Sequence, residues 1–166
     1  MTGPVVRGAQ LAPGDLLIVD GTAGASKLIE IGAVLDGDPA ASHVAIYHHT
    51  DAHDYDSDPR TVTNAAQPKT PAQRTEICMY AVKLLGTGYD WIGGIAEDAA
   101  LALHLPQLWT PDPASGQVPA HVVCSSLAAW VYDRAGLDAP GRGDWEHVTP
   151  GAWALFIGQR GWEHTA

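Results

Sequence analysis

The chain is short of positive charge. Lys and Arg total 9 against 19 Asp and Glu, for a formal net charge of −10. A nucleic-acid binder neutralises phosphates with Lys and Arg, so this balance argues against DNA or RNA as a partner. It argues equally against docking on anionic lipid through a basic patch. Cysteine is scarce too: Cys78 and Cys124 alone do not make a disulfide scaffold. No apolar run approaches the length of a membrane span. The opening "MTGPVVRGAQLAPGD" lacks the apolar stretch of a cleaved signal, so we expect a cytoplasmic or virion-associated protein without a signal peptide. There is no internal repeat and no low-complexity tract. What is present is 166 residues, 46% of them hydrophobic and 17% charged, enough for one globular domain (1–166) with a real core.

Hydrophobic spacing and turn residues lay out the elements. "APGDLLIVD" (12–20) reads as a turn feeding a short buried strand. "SKLIEIGAVL" (26–35) reads as a short helix. "SHVAIYHH" (42–49) is a strand whose alternation puts Val44 and Ile46 on one face and His43, Ala45 and Tyr47 on the other. "TDAHDYDSDPR" is a polar loop, and "TVTNAA" (61–66) is a strand expected to form a hairpin with 42–49. Thr70 and Gln73 fit a capping box and Pro71 a first helical position, so 70–86 is a helix with Ile77, Tyr80, Ala81, Leu84 and Leu85 as its apolar stripe. Residues 90–105 are expected to be helical, and 106–119 form a Pro-rich loop. In "HVVCSSLAAWVYDRAG" (121–136), Leu127, Trp130, Val131 and Ala135 recur at helical spacing and Gly136 supplies a stop. Thr149 and Pro150 open a last short helix, 149–158. Strands followed mainly by helices give an α+β domain.

This layout puts Cys124 at the start of a helix. A thiol there feels the positive end of the helix dipole, which favours its thiolate. The first free N–H groups of the helix could also hold the oxyanion of an acyl-transfer intermediate. A thiolate nucleophile needs a histidine to share its proton and a third group to orient that histidine. His43 begins a strand, and pairing with the next strand would bring Asn64 beside it. Cys124, His43 and Asn64 are therefore a candidate catalytic triad. Cysteine also serves as a small buried apolar side chain, and that reading stands beside the catalytic one.

Other residues compete for attention. His48, His49, His53 and Asp54 lie close together in "YHHTDAHDYD", but without HExxH or a second cluster they do not specify a metal site, and we expect none. His147 follows Cys124 but sits in a loop, "DWEHVTPG", rather than a strand. Cys78 lies mid-helix beside Ile77, where inert packing is the default. Trp109 and Trp145 could line a cleft for glycan or acyl chains, or simply pack.

Taken in order, "PGDLLIV", "SHVAIY", "TNAA", "GTGYDWIGG" and "CSSLAAWVYDRAG" resemble the NlpC-like cysteine hydrolases, a papain-like superfamily. In the common members the cysteine motif comes first. Here it comes last, which resembles the circularly permuted branch of bacterial and phage hydrolases and lecithin–retinol acyltransferase relatives. The resemblance spans about residues 12 to 137. It implies a small antiparallel sheet packed on helices, with Cys124 as nucleophile and His43 as general base. Asn64 falls where the family keeps a polar orienting residue, often Glu or His, so the amide is a departure in type. Tyr89 resembles the family tyrosine that lines the cleft and would contact substrate. The implied activity is cleavage of an amide bond, in peptidoglycan peptides or other peptides, through a thioester and with no cofactor. Alternatives are an acyl-ester or lipid acyl hydrolase or transferase using the same residues, and a catalytically idle module of a phage tail or other particle.

Overall fold

The computed structural model describes residues 11–19, 41, 43–48, 62–85, 88–89, 121–141, 145 and 148–162. The expected helices at 26–35 and 90–105, the polar loop after residue 49 and the Pro-rich loop at 106–119 lie outside the described residues.

The "PGD" turn organises the sheet. Gly14 has φ +87°, and a Cβ there would meet Ile77 Cδ1 at 3.2 Å and Arg74 Cα at 3.4 Å. Only glycine suits both the backbone angle and the close approach. The turn feeds β1 (Leu16–Val19), whose Leu16, Leu17 and Ile18 are all buried. A run buried on both faces belongs at the centre of a sheet, and β1 lies between β2 (His43–Ile46) and β3 (Val62–Thr63). Both pairings are antiparallel: Leu16 opposes Ile46 and Val19 opposes His43 on one edge, while Leu17 opposes Thr63 and Ile18 opposes Val62 on the other.

The expected hairpin between β2 and β3 is therefore corrected. Both strands exist, but β1 separates them. The physical reason is that β1 is buried, so the backbone N–H and C=O groups on both of its edges need partners. β2 and β3 supply one edge each.

The helices cover this sheet. In α1 (Pro71–Lys83), Thr70 Oγ1 accepts from the Gln73 N–H at 3.2 Å, and Gln73 Oε1 accepts from the Thr70 N–H at 3.0 Å. This is the capping box its sequence announces. Ile77 and Leu84 are buried, whereas Leu85 is 77% exposed. The stripe overshoots by one residue because the helix closes on its C-cap, Leu84, and Leu85 lies beyond the cap. Two-residue strands β4 (Gly88–Tyr89) and β5 (His121–Val122) form a small parallel pair that hydrophobic spacing did not foretell. β5 runs into α2 (Cys124–Arg134), which packs on β2 and α1. Gly136, φ +67°, stops α2 as expected. In α3 (Pro150–Gln159), Thr149 Oγ1 caps the Ala152 N–H at 2.9 Å. Trp153 of α3 meets Tyr132 of α2 edge-on, ring centres 5.4 Å apart, and both are fully buried. The architecture is α+β.

Candidate active site

Cys124 is the first residue of α2 and 8% exposed. Val123, in extended conformation (φ −101°, ψ 165°), joins β5 to the helix as its N-cap. Valine has no side-chain acceptor, so the cap residue leaves the first-turn N–H groups to other partners. The turn is instead fixed from inside the helix. Ser126 Oγ accepts from the Val123 N–H and donates to the Val123 carbonyl, both at 3.1 Å. Ser125 and Ser126 are buried with Cys124. The Ser125 carbonyl accepts a 3.1 Å bond from the indole N–H of Trp153.

His43, the first residue of β2, meets Cys124 through a side-chain hydrogen bond. The residue is exposed on one side, while enough of the ring lies against the protein to desolvate it. Its pKa is raised above the ordinary 6.5. The hydrogen bond to Cys124 is the largest cause; burial opposes it, and the negative charge of a Cys124 thiolate adds to it. A cysteine at the positive end of a helix beside an imidazole whose charged form is favoured can exist as a thiolate–imidazolium pair.

This pairing predicts an NMR result. In the wild-type protein the imidazole C–H resonances of His43, assigned with His43→Ala, titrate with a pKa above 6.5. In Cys124→Ala the hydrogen bond and the charge both vanish and only burial remains. The His43 pKa then falls below 6.5. An unchanged value would mean that Cys124 does not hold the proton on His43.

Asn64 is not the third member of this pair. It is fully buried just after β3, and its side chain is occupied elsewhere. Asn64 Oδ1 accepts from the Leu16 N–H at 2.7 Å. Asn64 Nδ2 donates to Gln67 Oε1 at 2.6 Å and to Tyr132 Oη at 3.0 Å. Leu16 lies three residues along β1 from Val19, the partner of His43, and β3 is two strand positions from β2. Ordinary strand spacings then put Asn64 roughly 14 Å from His43. The error follows from the wrong hairpin: with β1 inserted, cross-strand adjacency is lost. Gln67 is tied to the same cluster and donates to the Asp138 carbonyl at 3.2 Å.

Sequence reasoning missed this cluster. Asp15 Oδ1 accepts from Lys69 Nζ at 2.9 Å and from Arg74 Nη1 at 2.8 Å, and Oδ2 accepts from the Ala12 N–H at 2.8 Å. The Tyr132 hydroxyl, whose pKa burial pushes well up, donates to the Gly14 carbonyl at 2.5 Å. The cluster ties β1, β3 and α1 to α2 at a distance from the thiol. Two basic residues shortly after "TNAA" were the available signal, because a strand-flanking acid such as Asp15 needs counter-charges when buried.

Tyr89 contributes its backbone to β4 opposite Val122, two residues before Cys124; its side chain lies outside the described residues, as do His147, His49, His53, Asp54 and Trp109. Trp145 is partly buried against the core. Cys78 is half-buried, and burial raises its pKa. Among the described residues no helix is long and apolar enough to cross a membrane. Comparison of the chain with protein-family models, with curated proteins and with solved structures finds no significant match.

Proposed function

We propose that this protein is a cysteine hydrolase that cleaves an amide bond, with peptidoglycan peptides as the favoured substrate and a circularly permuted papain-like arrangement as the scaffold. One observation carries the reading: the Cys124 side chain, at the N-terminus of α2, hydrogen-bonds to His43 at the start of β2. The chain order agrees with it, since the base strand precedes the nucleophile helix.

In this mechanism the Cys124 thiolate adds to the carbonyl carbon. The first-turn N–H groups of α2 hold the oxyanion. The imidazolium of His43 gives its proton to the departing amine as the C–N bond breaks, leaving a thioester on Sγ. His43, now neutral, takes a proton from water, which attacks the thioester. The C–S bond breaks, the acid is released and the thiolate–imidazolium pair returns. Among the described residues Cys124 and His43 carry the chemistry, held toward each other by α2 and β2.

The test is incubation with soluble peptidoglycan peptide fragments and, in parallel, with acyl esters, read by mass spectrometry. The expected result is a free carboxylate and a free amine from the peptide, lost by at least about 10³-fold in Cys124→Ala and His43→Ala. Turnover of esters alone would reassign the substrate. Peptide cleavage that survives Cys124→Ala would overturn the mechanism.

A further inference from the structure

We infer that Trp153 is a positioning residue for the Cys124 nucleophile, acting through the peptide unit that joins Ser125 to Ser126. The inference rests on the proposed hydrolase reading of the site. Trp153 lies on α3, far from Cys124 in sequence and fully buried. Its indole N–H is spent on one acceptor, the Ser125 carbonyl, at 3.1 Å. That carbonyl belongs to the first turn of α2, the residue directly after the nucleophile.

The carbonyl of Ser125 and the N–H of Ser126 share one peptide plane. In a helix the carbonyl points toward the C-terminus, and the N–H points toward the N-terminus, where Cys124 and an oxyanion would lie. A donor on the carbonyl fixes the tilt of that plane and polarises it, so the N–H becomes a better donor. A pure packing role would not require the indole nitrogen. Phenylalanine would fill much of the same volume and keep the edge-on contact with Tyr132.

Other supports of the first turn point the same way. Ser126 clamps Val123 through its hydroxyl, so the backbone on the other side of Cys124 is also fixed. Thr149 and Pro150 begin α3 one turn before Trp153, which holds the indole in place. His43, from β2, is a titratable group that faces Cys124. The charged groups Asp15, Lys69 and Arg74 gather around Tyr132, two turns along α2, so they bear little on the first turn.

The test compares wild type, Trp153→Phe and a protein carrying 3-benzothienylalanine at position 153, which keeps the indole shape and replaces N–H with sulfur. Each is labelled at Cys124 with iodoacetamide from pH 5 to 9, and each is melted. In both variants we expect the acid limb of the labelling profile to move up by about half a pH unit, slowing labelling about threefold on that limb. The benzothienyl protein should melt close to wild type. If its profile matches wild type, the indole N–H serves packing alone and the inference is overturned. A His43→Ala variant, labelled in parallel, separates the two layers: labelling that ignores this change would sink the hydrolase reading itself, whereas a His43-dependent profile unmoved by the position-153 changes would sink only the role of Trp153.

Discussion

Near neutral pH, iodoacetamide should alkylate Cys124 at least about tenfold faster than Cys78. Accessibility alone gives the reverse order, because Cys124 is 8% exposed and Cys78 is half-buried on α1. Chemistry must overcome that handicap. An ordinary thiol, with a pKa near 8.5, is only a few per cent thiolate at pH 7. Burial pushes Cys78 above its ordinary value, so its reactive fraction is smaller still. At Cys124 two effects favour an anion: the first turn of α2 and a protonated His43. A more stable thiolate is also a weaker nucleophile, with a Brønsted slope of about 0.4–0.5, which removes part of the gain and keeps the expectation near tenfold rather than a hundredfold. His43→Ala should slow Cys124 labelling at pH 6 to 7 and leave Cys78 as it was. Peptide mass spectrometry after timed quenching reads both sites in one sample. Equal rates, or indifference to His43→Ala, would make Cys124 a packed structural residue and favour an idle module.

Local chemistry was legible in the sequence, and partnership between distant strands was not. The Thr70–Gln73 capping box, Pro71, the Thr149 cap and the Gly136 stop each act within a few residues, and each stands where its sequence places it. The helix start at Cys124 is of the same kind. Strand order is set by what needs covering. β1 reads as a buried strand from "LLIV", but nothing in "TVTNAA" says which neighbour it will choose. Choosing β2 instead of β1 moved Asn64 from the middle of a hydrogen-bonded core cluster to the side of His43. The meeting of His43 with Cys124, by contrast, was expected from their chemistry and from what the resemblance in motif order implies, and does not depend on β3. The two-residue strands β4 and β5 are too short to show any period.

The cluster that claimed Asn64 also sets the second large effect: Asp15→Asn should lower stability near pH 7 by about 3–5 kcal/mol. Lys69 has no exposed side-chain surface and Asp15 only 1%, whereas Arg74 keeps 25% of its own. Arg74 can turn to water when its partner is lost. Lys69 cannot, so the penalty falls on one buried ammonium. In the native protein its pKa is already lowered, chiefly by burial, with the charge and hydrogen bond of Asp15 opposing and Arg74 adding to the fall. Removing the carboxylate takes away the charge that opposes burial and Arg74, leaving the Asn64 and Gln67 carbonyls as acceptors for Lys69 Nζ, and the folded-state pKa drops further. The sign of the pH effect follows. A lysine whose folded pKa lies below its unfolded value, near 10.4, binds more protons when unfolded, so stability rises with pH between the two values. Asp15→Asn should therefore regain stability as pH is raised toward 10, over a window that opens at lower pH than in the wild type. Urea midpoints at pH 7 and pH 9.5, with unchanged slopes, read this directly. The double variant Asp15→Asn/Lys69→Met removes the stranded charge and should recover much of the loss at pH 7. A loss that stays the same at both pH values and in the double variant would mean that the bond from Asp15 to the Ala12 N–H, rather than its grip on Lys69, holds the "PGD" turn against α1.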